Sequence, residues 1–167
     1  MKNLSEMPFT QQMQGKEALI RGIYLSISCD YERLLDDIIT KCEVIEPERR
    51  ELYKMNKVRH LEMGKKLDRC RKALKKYNEF YYKVNEPYFK IIKELLKLRN
   101  MLAHGYSDYD ENLQDTTFIT FNYLENYKPK TKQIEVFSFL MELETYRKSI
   151  MEFMQLVIYL AAEVGKE

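Results

Sequence analysis

The sequence predicts an all-α fold, an antiparallel four-helix bundle with one β-hairpin inserted between the third and last long helices. Three observations lead there. Glycine and proline together supply only nine of 167 residues (5 plus 4), well under the usual frequency of about 12%, which excludes collagen-like, low-complexity and turn-rich all-β chains. Apolar side chains recur at steps of three and four along most of the chain, the period of an amphipathic helix. Between about 117 and 137 that period gives way to a β-branched and aromatic run. A chain of this length buries roughly 70% of its unfolded surface, and residues 1–167 are expected to form a single domain without an internal repeat.

The first helix is expected over 15–43, where Ile20, Ile23, Ile27, Tyr31, Leu34, Leu35 and Ile38 make one apolar stripe. A second, long helix is expected over 48–84 on the steps Met63, Leu67, Cys70, Leu74, Tyr77 and Tyr81. The third begins near Pro87, because proline suits a first helical turn, and runs through Ile91, Ile92, Leu95, Leu96 and Leu102 to His104. Gly105 then reads as a left-handed stop. An acidic loop follows, with Asp108, Asp110, Glu111 and Asp115. Two strands, Thr117 to Tyr123 and Gln133 to Phe137, flank a turn segment holding Asn126 and Pro129, which makes the hairpin. From Ser138 the helical steps resume as Leu140, Leu143, Ile150, Met154, Val157, Ala161 and Val164. Further apolar residues at Phe153, Leu156, Ile158 and Leu160 suit a helix that is central or lies at a subunit interface.

Composition narrows the function. Hydrophobic residues at 45% and charged residues at 32% describe a globular chain, and no apolar run approaches the roughly 18 residues of a membrane span. The first twenty residues lack the apolar stretch of a secretory signal, so a cytoplasmic protein without membrane contact is expected. Cys29, Cys42 and Cys70 are odd in number and form no CxxC pair, which suggests plain thiols and no metal site. No GxGxxG, P-loop, HExxH or Ser-His-Asp pattern is present, so no cofactor is expected.

The net charge of +2 is unevenly spread. Lys57 to Lys76 holds nine lysines and arginines against Glu62 and Asp68, a local charge of about +7. Lys65, Arg69, Lys72 and Lys76 fall on one helical stripe, an electrostatic footprint for a phosphate backbone and hence candidate RNA-binding residues. The plainer alternative is a solvated lysine-rich face. His60 has no partner at a useful spacing and reads as surface. Arg147 interrupts the last apolar stripe and reads as a snorkelling side chain.

Only Leu98-Arg99-Asn100-Met101-Leu102-Ala103-His104-Gly105-Tyr106 combines groups suited to chemistry. Histidine exchanges a proton near neutral pH unaided, and arginine offers a permanent cation whose forked donors match phosphate. Asn100 and His104, four apart, share a helix face, so the carboxamide could orient the imidazole. Arg99 lies about 140° from His104 around the axis, so spacing within one helix does not converge them unless the last turn frays or a second copy of the segment faces the first. The plainer alternative is that His104 merely caps the helix C-terminus.

Arg99-Asn100, three residues, His104, one residue and Tyr106 resemble the signature of the HEPN superfamily (higher eukaryote and prokaryote nucleotide-binding), and Tyr106 resembles its toxin branch. The literal match covers 99–106. The resemblance implies an all-α bundle that forms a homodimer, with the motifs of two protomers lining one cleft. It also implies a metal-independent endoribonuclease in which the 2'-hydroxyl of RNA attacks the adjacent phosphorus to leave a 2',3'-cyclic end. His104 would then be general acid or base, Arg99 would stabilise phosphoryl charge, and Asn100 would orient His104 or the phosphate. Tyr106 would lie at the cleft rim or accept adenylyl groups from a nucleotidyltransferase antitoxin. A toxin-antitoxin, defence or RNA-processing role follows. The alternative within the family is a non-catalytic module that binds RNA, nucleotide or a partner protein. The hairpin of 117–137 departs from compact toxins of this type.

Overall fold

A computed structural model describes residues 8–108 and 117–163. Among these the chain forms α1 (Phe9–Glu43), α2 (Pro47–Tyr53), a π-helical turn (Lys54–Val58), α3 (Met63–Tyr77), α4 (Glu79–His104), β1 (Tyr106–Asp108), β2 (Phe118–Glu125), β3 (Lys128–Glu135) and α5 (Val136–Glu163). The fold is therefore predominantly helical, with a small antiparallel sheet ordered β1-β2-β3. No described helix is long and apolar enough to cross a membrane. The acidic loop expected at 108–115 lies, beyond Asp108, outside the described residues, as does Val164.

Two compact units emerge, 8–26 with 97–108 and 117–145, and 27–96 with 146–163. In the second unit α1 buries Ile27, Tyr31, Leu34, Leu35, Ile38 and Ile39. Phe153 of α5 is the hub of its aromatic packing, with its ring centroid 6.4 Å from Tyr31 of α1 and 5.3 and 5.7 Å from Tyr88 and Phe89 of α4. Offset and edge-on ring pairs of this kind add to the stabilisation that burial already provides.

The expected second and third helices need correction. The continuous helix of 48–84 is broken twice. Between the π-helical turn and α3 the backbone opens at Glu62 (φ −62, ψ 147), which lets both Val58 and Met63 turn inward and become buried. At Asn78 it opens again (φ −158, ψ 110). The Asn78 side-chain oxygen there accepts the Tyr81 backbone N–H at 3.1 Å, a helix N-cap. That cap, and not Pro87, starts the next helix, and Pro87 lies inside α4. Its missing N–H is tolerated on an exposed face.

In the first unit the hairpin is present but belongs to a three-stranded sheet. Strands β2 and β3 pair from Phe118↔Glu135 to Glu125↔Lys128. Asn126 and Tyr127, at φ 51 and 63, make the two-residue left-handed turn that matches strand twist. Ile119 and Phe121 of β2 and Ile134 of β3 are buried, with Met13, Ile20 and Tyr24 of α1, Met101 and Leu102 of α4, and Phe139 and Leu143 of α5. Strand β1 pairs Tyr106↔Asn122 through Asp108↔Thr120, so the chain leaves α4 directly into the sheet.

Candidate functional site

The sequence-predicted motif occupies the last two turns of α4 and the first residue of β1, all in the first unit. Arg99, Asn100, His104 and Tyr106 are exposed, whereas Met101, Leu102 and Gly105 between them are buried. The apolar residues anchor the segment and leave the four polar side chains outward. None of the four hydrogen bonds to or ion-pairs with another described residue, and Asn100 does not engage His104.

The end of α4 is held by a residue that sequence reasoning missed. From α1, Arg21 donates through Nη1 to the Leu102 carbonyl and through Nη2 to the Gly105 carbonyl at 2.6 Å. Its Nε donates to Glu17 Oε1 at 2.7 Å, and its guanidinium lies 5.3 Å from the centre of the Phe121 ring. The Ser107 hydroxyl donates to the other Glu17 oxygen. One planar cation thus satisfies carbonyls that a helix C-terminus leaves open. The Glu17–Arg21 spacing of four was visible in the sequence; the partners, 81 and 84 residues away, were not. Arg21→Ala is expected to lower stability by about 2 kcal/mol, the range for hydrogen bonds to a charged group. Urea denaturation measures this, together with faster amide exchange at Gly105, whose N–H bonds the Met101 carbonyl at 3.0 Å.

Gly105 is not left-handed, contrary to its expected role as a helix stop; no described glycine has positive φ. Its requirement is space. A Cβ there would collide with the Met101 carbonyl oxygen and lie 3.1 Å from the Asn122 carbonyl oxygen, because β1 pairs with β2 immediately after it. Gly105→Ala is therefore expected to cost about 1–3 kcal/mol, the usual range for overpacking, read as a lower midpoint in thermal unfolding.

The RNA-binding candidates lie on α3 in the second unit. Lys65 faces Glu62 at 3.6 Å with both side chains exposed, a pair worth little in water. Arg69 is engaged: Nη2 donates to Glu43 Oε2 at 2.7 Å and to the Tyr53 hydroxyl at 2.6 Å, and Nη1 donates to the Lys57 carbonyl at 2.7 Å. Burial alone would lift the Glu43 carboxyl, but its hydrogen bonds from Arg69 and Tyr53 hold it below the usual carboxylate range. Lys72 and Lys76 are exposed and carry neither a hydrogen bond nor an ion pair among the described residues. His60 and Arg147 are both exposed. Burial pushes the Cys42 thiol up to about 12 and Cys70 well above its ordinary value, so both stay protonated and unreactive at neutral pH. Among the described residues no three His, Cys, Asp or Glu side chains gather as a metal site would require. The chain matches no protein-family model, no curated protein and no solved structure.

Proposed function

We propose that this chain is a HEPN-type endoribonuclease that acts as a cytoplasmic homodimer, its helices completing the bundle typical of that superfamily. One observation supports this reading most. The plain alternative for His104, capping α4, loses its ground because Arg21 already takes the Leu102 and Gly105 carbonyls. His104, Arg99 and Asn100 are left exposed and unengaged on an anchored helix end, so their chemistry is available to a ligand.

In the proposed reaction the RNA 2'-oxygen attacks its own 3'-phosphorus and the bond from phosphorus to the 5'-oxygen breaks. The products are a 2',3'-cyclic phosphate and a 5'-hydroxyl. One His104 takes the 2'-hydroxyl proton and the His104 of the second protomer protonates the departing 5'-oxygen. Arg99 stabilises the negative charge that grows on the phosphoryl oxygens. Asn100 orients the phosphate, and Tyr106, at the start of β1, borders the cleft as a ligand contact or as the target of a nucleotidyltransferase antitoxin. A toxin-antitoxin, defence or RNA-processing role accords with this chemistry.

The test is incubation of purified protein with mixed RNA in EDTA, followed by end-group analysis. Fragments with cyclic-phosphate ends support the nuclease. Binding without cleavage selects the non-catalytic HEPN module, and neither activity rejects both.

A further inference from the structure

The outer face of α3 carries four exposed cations within six residues, Arg71, Lys72, Lys75 and Lys76. They stand as two like-charge pairs one helical turn apart, a spacing that weakens a helix unless an anion relieves it. Two concavities open beside them. The larger, about 500 Å³, is lined by Glu43, Tyr53, Arg69, Lys72, Lys76 and Tyr77. The smaller, about 190 Å³, is lined by Asp68, Arg71, Lys72, Lys75 and Tyr82. Lys72 borders both, so they form one continuous surface on which cations alternate with tyrosines.

The wall of the larger concavity is built, not loose. Arg69 is fixed by Glu43, Tyr53 and the Lys57 carbonyl, and its guanidinium lies 5.7 Å from the centre of the Tyr53 ring. Glu43 pairs with Arg69 and also feels the charge of Lys76, while Lys72 and Lys76 make no direct hydrogen bond or ion pair among the described residues. Tyr77 retains 39% of its surface.

We propose that this surface is a track for single-stranded RNA: Lys72 and Lys76 hold backbone phosphates, Tyr77 stacks a base in the larger concavity, and Arg71 and Lys75 receive the next phosphates. Unpaired bases are required because a duplex hides the ring faces that tyrosine stacks on. A purely acidic peptide would satisfy the lysines and leave the tyrosine-lined space unused. The proposal deepens the nuclease reading by naming where substrate is held, and rests on it only for the choice of RNA over DNA.

The test is fluorescence anisotropy with a short labelled oligouridylate, using the full chain carrying His104→Ala so that the probe stays intact. Lys72→Glu with Lys76→Glu is expected to weaken binding by more than about tenfold and to flatten the log–log salt slope by about 1.4, two lost contacts at about 0.7 each. Tyr77→Leu is expected to weaken binding about tenfold with the slope unchanged. The charge-matched Lys128→Glu with Lys130→Glu on β3 should stay within about twofold of the parent. All these positions are exposed, and unchanged thermal unfolding checks that each variant folds. Equal losses from the α3 and β3 pairs, or a Tyr77→Leu variant that binds as its parent does, overturn the track and leave a solvated lysine face. A chain that never cuts RNA yet shows the expected pattern sinks the nuclease reading alone; one that cuts RNA and shows equal losses sinks the track alone.

Discussion

His104→Ala is expected to lower RNA cleavage by about 10²- to 10⁴-fold, the usual worth of a positioned general acid or base. Arg99→Ala is expected to cost about 10²- to 10³-fold through lost stabilisation of phosphoryl charge. The double variant should fall short of the product of the two losses, because groups acting on one transition state are not additive. Stability should hardly move, since neither side chain has a partner among the described residues and exposed substitutions of this kind stay within about 0.5 kcal/mol. That contrast between activity and folding separates a catalytic part from a structural one. The cleft proposed for the homodimer adds a sharper expectation. Mixing wild-type with His104→Ala chains creates heterodimers that hold a single His104, and because the proposed reaction uses the histidine of both protomers, their cleavage should fall far below half that of the wild-type homodimer. Unchanged cleavage in both single variants would remove Arg99 and His104 from the reaction.

Some of this molecule was legible because local patterns and tertiary demands agree. Of the expected stripe, Ile20, Ile27, Tyr31, Leu34, Leu35 and Ile38 are buried as the spacing requires and Ile23 is half-buried, and Asn126 marks a hairpin turn by its tolerance of positive φ. Other features were hidden because long-range burial overrode the local signal. No proline marks the opening at Glu62, and Gly64 falls already inside α3; the burial of Val58 and Met63 marks it. Pro87 is a poor interior residue by propensity, yet Asn78 had already capped the helix upstream. Strand β1 is three residues long and exists only because β2 offers an edge to pair with. The site divides in the same way. Arg99, Asn100, His104 and Tyr106 are adjacent in sequence and could be found there, whereas Arg21 acts on carbonyls far along the chain. Counting charges likewise overstated the basic field of 57–76, since Arg69 is matched by Glu43 and Lys66 is internal.

Lys66 carries the largest expected effect on stability. Its side chain on α3 is 1% exposed, with Nζ 2.8 Å from Asp36 Oδ1 and 2.7 Å from Glu32 Oε1, both carboxylates on α1. Glu32 is 42% exposed and Asp36 only 6%, so water can replace Lys66 beside Glu32 but not beside Asp36. Lys66→Met keeps the volume, removes the charge and strands a buried carboxylate; breaking such a pair from one side costs about 3–5 kcal/mol. Burial already lifts the Asp36 carboxyl above its ordinary range despite the opposing pull of Lys66, and removing Lys66 lifts it further. A carboxyl raised in the folded state favours folding in its protonated form. That contribution is complete below the unfolded value of about 3.9 and fades as pH rises through the folded value. Lys66→Met should therefore be more destabilising at pH 8 than at pH 5, as read from urea midpoints. Adding Asp36→Asn should recover most of the loss, because the remaining pair is neutral, of similar shape and no longer strands a charge. A single variant that loses less than about 1 kcal/mol, or a double variant no more stable than Lys66→Met, would show that this ion pair does not hold α3 against α1.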